Sequence, residues 1–231
     1  METGWALFSL AGLLFFLRWI HVLAGVAWIG MLWFFNFAQG PFMNEVDGTV
    51  KTAVNQKLAP RTLWYFRWGA MVTVITGWLL IVGFAHTYPG YLSSGRGVII
   101  FTGALMGTLM WFNVWFVIWP RQKKAIAAAN GNGPALEPAA ARRAFLASRT
   151  NTLLSIPLLF MMTGAVHLPL VVEGGVGKWH GIVVAILALL EINALKAVNG
   201  PTTKPIEKVG GVIHMGVVLT VIFYVLLEVV L

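Results

Sequence analysis

The sequence contains no cysteine and very little charge. Of its 231 residues only 10% are Asp, Glu, Lys or Arg, whereas 58% are hydrophobic and the mean hydropathy is +0.81. Without cysteine there can be no disulfide, no iron–sulfur cluster and no haem attached covalently through C-x-x-C-H. Any redox cofactor must then be held by other side chains, and histidine is the available ligand. The scarcity of charge excludes an ordinary soluble domain, which has no use for so much apolar surface. A basic leader is absent as well: Glu2 stands where a cleavable signal would carry lysines, so the first apolar segment is expected to be retained. Internal repeats and low-complexity tracts are also missing.

What the chain does have is a series of long apolar runs. Residues 3–44 carry a single charge, Arg18, and charge-free runs follow at 68–95, 97–120, 150–172 and 209–227, with a further run at 179–198 interrupted by Glu191 and Lys196. Each is near the roughly 20 residues that a bilayer core requires. The expected fold is all-α: a polytopic transmembrane bundle of about six spans, forming a single domain over residues 1–231. Basic residues give its orientation. With the N-terminus outside, 13 of the 16 Lys and Arg residues fall in inside loops, and only Arg96 and Lys178 fall outside. Both termini are then periplasmic in a bacterial inner membrane. The formal charge of +8 reports topology and contact with anionic membrane lipid, not nucleic acid.

Two polar connections stand out. Trp119-Pro120 is expected to end the third span, and the Ala-rich stretches around Asn130-Gly131-Asn132-Gly133-Pro134 predict a cytoplasmic helical hairpin over 121–149. Residues 40–62 are expected as a loop of mixed charge, with Pro60 at the entry to span two.

Ionisable groups at membrane depth are costly without partners, so they mark candidate sites. His21 lies about 27 Å from the cytoplasmic edge of span one, and His167 about 25 Å from the same edge in span four. A b-type haem needs an axial imidazole, often two from facing helices, with small residues nearby and a cation beside its propionates. His21 and His167 are the candidate axial ligands, Gly25 supplies space one turn inward from His21, and Arg18 is placed for a propionate. His180, just inside the outer end of span five, is a weaker candidate, and His86 sits beside interfacial aromatics where a histidine can simply be wet. Toward the cytoplasmic side lie Asn36, Arg67, Asn113, Glu191, Asn193 and His214. Glu191 with His214 would make a proton relay, and the alternative is a set of interhelical hydrogen bonds. Gly103-x-x-x-Gly107 reads as close helix packing.

R-W-I-H-V-L-A-G-V-A-W-I-G at 18–30 with F-N-F at 35–37, F-R-W-G-A-M at 66–71, N-V-W-F-V-I-W-P-R-Q-K-K at 113–124, and A-R-R-A-F-L-A-S-R-T-N-T-L-L-S-I-P at 141–157 resemble the membrane domain of the cytochrome-c-type urate oxidases, also called urate hydroxylases. The resemblance runs over essentially the whole chain. It implies an inner-membrane enzyme that oxidises urate and passes electrons to cytochrome c instead of oxygen. Fuller members carry a C-terminal cytochrome c domain on the periplasmic side, where Leu231 is placed here. This chain stops at Leu231 and has no cysteine for such a haem, so the expectation is a separate periplasmic cytochrome c or a partner subunit as acceptor. In that reading Glu191, the only carboxylate well inside a predicted span, is the proton acceptor. Two other classes stay open: a non-catalytic haem-binding or accessory subunit of an electron-transfer complex, and a copper-handling protein using His21, His167 and His180. The lack of methionines near the outer end disfavours copper, since Met161 and Met162 lie deeper.

Overall fold

The computed structural model describes residues 5–196 and 199–231. The described chain is helical and has no strand. Six helices are long and apolar enough to cross a membrane: α1 (Leu10–Glu45), α2 (Gly48–Thr87), α3 (Gly95–Ala129), α4 (Pro138–His167), α5 (Val176–Lys196) and α6 (Val209–Val230). They run alternately down and up, and the end that holds the start of α1 is called upper here. The C-terminus returns to that end, where the Glu173 N–H donates to the Leu231 carbonyl at 2.8 Å.

Exposed apolar side chains cover the perimeter of the bundle, from Val22 and Val26 on α1 to Val217 and Val221 on α6. A helix apolar on all sides needs an apolar surrounding, of the kind a bilayer core offers. The helices are drawn together by small residues and by interhelical hydrogen bonds, the two devices that act without a hydrophobic drive between helices. Gly69 shows the first device: a Cβ built there would lie 3.1 Å from the Trp28 nitrogen and 3.2 Å from the Ala24 carbonyl, so the backbones of α1 and α2 nearly touch. Trp179 shows the second, its indole N–H donating to the Thr102 hydroxyl at 2.8 Å to tie α5 to α3. α4 is the most enclosed helix and α1 the least. At Gly216, α6 approaches the Leu153 carbonyl of α4, with a Cβ there only 3.1 Å from that oxygen. Pro157, four residues on and without an N–H, is the residue that would otherwise have bonded it.

Three helices run past prolines, two of which, Pro60 and Pro120, the sequence places at span boundaries. Residues 40–62 are almost wholly helical, broken only at Val46 and Asp47, and α3 continues through Trp119-Pro120 to Ala129. The same device acts each time. A wide π-helical turn precedes Pro41, Pro60 and Pro120, at Phe34–Gln39, Val54–Leu58 and Asn113–Ile118 respectively. In each, the residue before the proline bonds five residues back: Gly40 to Phe35, Ala59 to Val54 and Trp119 to Val114. A proline lacks an N–H and its ring crowds the carbonyl four residues earlier, and one extra residue in the preceding turn relieves both problems. The hairpin expected at 121–149 has its arms continuous with α3 and α4, joined through 130–137. Asp47 starts α2 by accepting from the Thr49 and Val50 N–H groups.

Candidate functional site

His21 projects from α1 against the backbone of α2. Its Nδ1 lies 2.8 Å from the Thr73 carbonyl oxygen and 3.2 Å from the Thr76 hydroxyl. A carbonyl only accepts, so Nδ1 carries the proton and Nε2 keeps its lone pair. The Thr76 hydroxyl donates to the Val72 carbonyl at 2.6 Å and can only accept from the imidazole, which fixes the same tautomer. Gly77 makes the approach possible, because a Cβ there would stand 3.0 Å from the ring's Cε1. Donation of one ring nitrogen to a backbone carbonyl is how proteins orient a histidine whose other nitrogen binds a metal.

A cavity of about 560 Å³ opens beside this imidazole, between the upper halves of α1, α2, α3 and α4. Its walls are apolar and rich in glycine: Gly25 and Gly30 from α1, Gly77 from α2, and Gly103 and Gly107 from α3. A Cβ on Gly30 would meet nothing within 4 Å, so the missing side chain there is open space in the wall. Trp28 lines the cavity, and its buried indole N–H has no partner. Trp33 and Trp78 line it too, but are held by Ser155 at 2.9 Å and Thr108 at 3.1 Å.

The upper end is cationic. The guanidinium carbons of Arg18 and Arg96 each lie 5.3 Å from the centroid of the Phe84 ring. Tyr91 stacks on the same ring at 5.5 Å. Burial raises the Tyr91 phenol above its ordinary value, against the pull of Arg96 and Arg18, so the phenol is neutral at neutral pH. The cavity thus combines one imidazole, glycine-lined apolar walls and two guanidinium groups at the rim.

The expected residues divide. Arg18 and His21 line the cavity together, whereas His167, exposed at the end of α4, does not. The α4 wall is Leu158, Leu159, Met162 and Val166. Gly103 lacks a side chain where the Met162 methyl lies. His180 packs against the Phe101 ring at 4.9 Å, outside the lining, with a buried Nε2 that has no partner. His86 and His214 are exposed.

Glu191 is not part of the cavity. It belongs to a polar cluster lower in the bundle, where the Asn113 amide donates to Glu191 Oε2 at 2.8 Å and to Asn151 Oδ1 at 3.0 Å. Asn36 forms a separate group with Ser148 and Arg149. Arg67 sits 4.0 Å over the Trp119 ring, and the half-buried Asn193 donates its amide to the Thr202 carbonyl at 3.2 Å. The residues that sequence reading passed over are Thr73, Gly77, Phe84 and Arg96. A Gly in the middle of an otherwise apolar span was the one available signal for Gly77.

Comparison with known families gives one result. The model of the family described as Urate oxidase N-terminal matches residues 81–226, well over half of the chain. The match takes in Phe84, Tyr91, Arg96, Asn113, Met162 and Glu191, while Arg18, His21, Thr73 and Gly77 precede it. No curated protein and no solved structure matches the chain.

Proposed function

Because the chain belongs to the urate oxidase N-terminal family, we propose that it is a multi-pass membrane oxidoreductase of the urate-oxidase type, whose upper cavity takes a b-type haem. The observation that carries this reading is the Nδ1–H of His21, donated to the Thr73 carbonyl at 2.8 Å, which leaves Nε2 as a free ligand next to a glycine-lined apolar space. Arg18 and Arg96 would hold the propionates at the rim. From α4, the Met162 sulfur is the second candidate ligand, in place of the exposed His167. Haem supplies one-electron chemistry when bound. The protein's part is to orient the imidazole, exclude water with Trp28, Trp33 and Trp78, and place the propionate edge at the upper end.

The lower half and lower loops carry 13 of the 16 basic residues, so the upper end faces the periplasm of a bacterial inner membrane. Electrons leave there to a periplasmic cytochrome c or a partner subunit, and urate is the substrate that the family suggests. An accessory electron-transfer subunit with the same haem is the second reading, favoured by the absence of Glu191 from the cavity. The absorption spectrum of the purified protein tests the proposal. A reducible Soret band that is lost in His21→Ala, and reduced anaerobically by urate, is the expected result. A haem that urate leaves oxidised supports the accessory reading, and a protein that binds no haem overturns both. Bound copper in its place would favour the third class.

A further inference from the structure

We propose that Glu191 and Asn113 form an intramembrane proton site, in which Glu191 is a neutral carboxylic acid paired face to face with the Asn113 amide. The inference does not depend on haem or on urate.

Glu191 and Asn113 meet in a closed space where each hydrogen bond can be counted. Asn113 is fully buried and Glu191 is 8% exposed. Asn113 Nδ2 spends its two hydrogens on Glu191 Oε2 and Asn151 Oδ1. Asn151 is fixed in turn, because its Nδ2 donates to the Met110 carbonyl at 2.9 Å. Flipping the Asn113 amide would aim its oxygen at two acceptors, so the assignment has no alternative. Two buried oxygens are left without partners, Glu191 Oε1 and Asn113 Oδ1. They belong to the same two side chains that already share one N–H···O bond.

A single proton resolves both. Placed on Oε1, it turns the carboxylate into a donor for the unpartnered amide oxygen, so that acid and amide exchange two hydrogen bonds in a ring. Left ionised, Glu191 would be a buried anion with one hydrogen bond to its name, an expensive state with no compensating cation. Among the described residues the only ion pair is Arg142 with Glu207. The hydrogen bonds of the α4 arginines go to carbonyls and not to Glu191: Arg143 Nε donates to Leu195 O at 2.9 Å, and Arg149 Nη1 lies 3.3 Å from Asn36 O. A metal cation is the poorer occupant, since hard cations take six or more oxygens and the other two in this cluster, Asn151 Oδ1 and Met110 O, already accept hydrogen bonds.

The infrared spectrum of the protein in lipid nanodiscs at neutral pH tests this, with no cofactor required. The wild type minus Glu191→Gln difference should show the C=O stretch of a protonated carboxylic acid, displaced in D2O, and Asn113→Leu should shift that band by removing its partner. Glu191→Gln should fold with nearly wild-type Tm, because an amide–amide pair closes the same ring. Carboxylate bands in the difference spectrum, an acid band that sodium chloride abolishes and choline chloride does not, or a Glu191→Gln protein that fails to fold would each overturn the proposal.

Discussion

Gly77→Ala separates the stability of the bundle from the quality of its proposed ligand. The new Cβ would stand 3.0 Å from His21 Cε1 and 3.4 Å from Nδ1. Carbon atoms pack at about 3.5–4.0 Å, so the ring must retreat by about 0.5 Å. If the retreat follows the 2.8 Å bond to Thr73 O, that bond opens to about 3.3 Å, past the ordinary range. Losing it costs about 1 kcal/mol, while Ala in place of a mid-helix Gly returns about 1 kcal/mol. Tm of the cofactor-free protein should therefore hardly move. Cofactor affinity should fall about 10–100-fold, the usual effect of removing the group that orients a metal-bound histidine. Haem titration of the cofactor-free protein followed at the Soret band measures the second quantity, and a thermal melt the first. Gly181→Ala, whose Cβ meets nothing within 4 Å, is the control that should change neither binding nor spectrum. Unchanged affinity in Gly77→Ala would refute the role given to the Thr73 carbonyl.

Gly69→Ala should lower Tm at a cost of about 1–3 kcal/mol, because the atoms it meets on Trp28 and Ala24 are backbone and cannot swing aside. Arg18→Gln with Arg96→Gln should weaken haem binding while leaving the ligand-field spectrum in place, since both groups sit at the rim around Phe84 and not at the imidazole. Loss of the spectrum itself would place them at the iron. A reporter active only in the periplasm should work when fused after Leu231 and fail when inserted at Gly131, and the reverse result would invert the proposed direction of electron exit.

The helices were legible in the sequence because membrane length and lack of charge are properties of contiguous residues. Six apolar runs became six helices of spanning length. What failed was punctuation. Pro41, Pro60 and Pro120 look like stops to any reading that assumes a 3.6-residue turn, and the wide turn before each one converts the stop into a continuation.

The candidate site was legible only as far as one helix could show it. Arg18, His21 and Gly25 lie within eight residues of α1, so their shared face follows from helical periodicity. Pairing His21 with His167 by depth alone ignored rotation about the helix axis. Depth is set by counting residues, but facing is set by packing, and packing turns Met162 and Val166 toward the cavity while His167 stays exposed. Thr73 was beyond reach for a different reason: what it offers is a carbonyl, which every residue has, and only the absent side chain of Gly77 allows an imidazole to approach it. Glu191 illustrates the same limit from the other side. Its burial was legible as a carboxylate inside an apolar run, but its chemistry depends on Asn113 and Asn151, contributed by α3 and α4. The Asn113 amide reaches both Glu191 and Asn151 from the first residue of the wide turn ahead of Pro120. The proline that appeared to end a span therefore belongs to the same stretch of backbone that carries the partner of the buried acid.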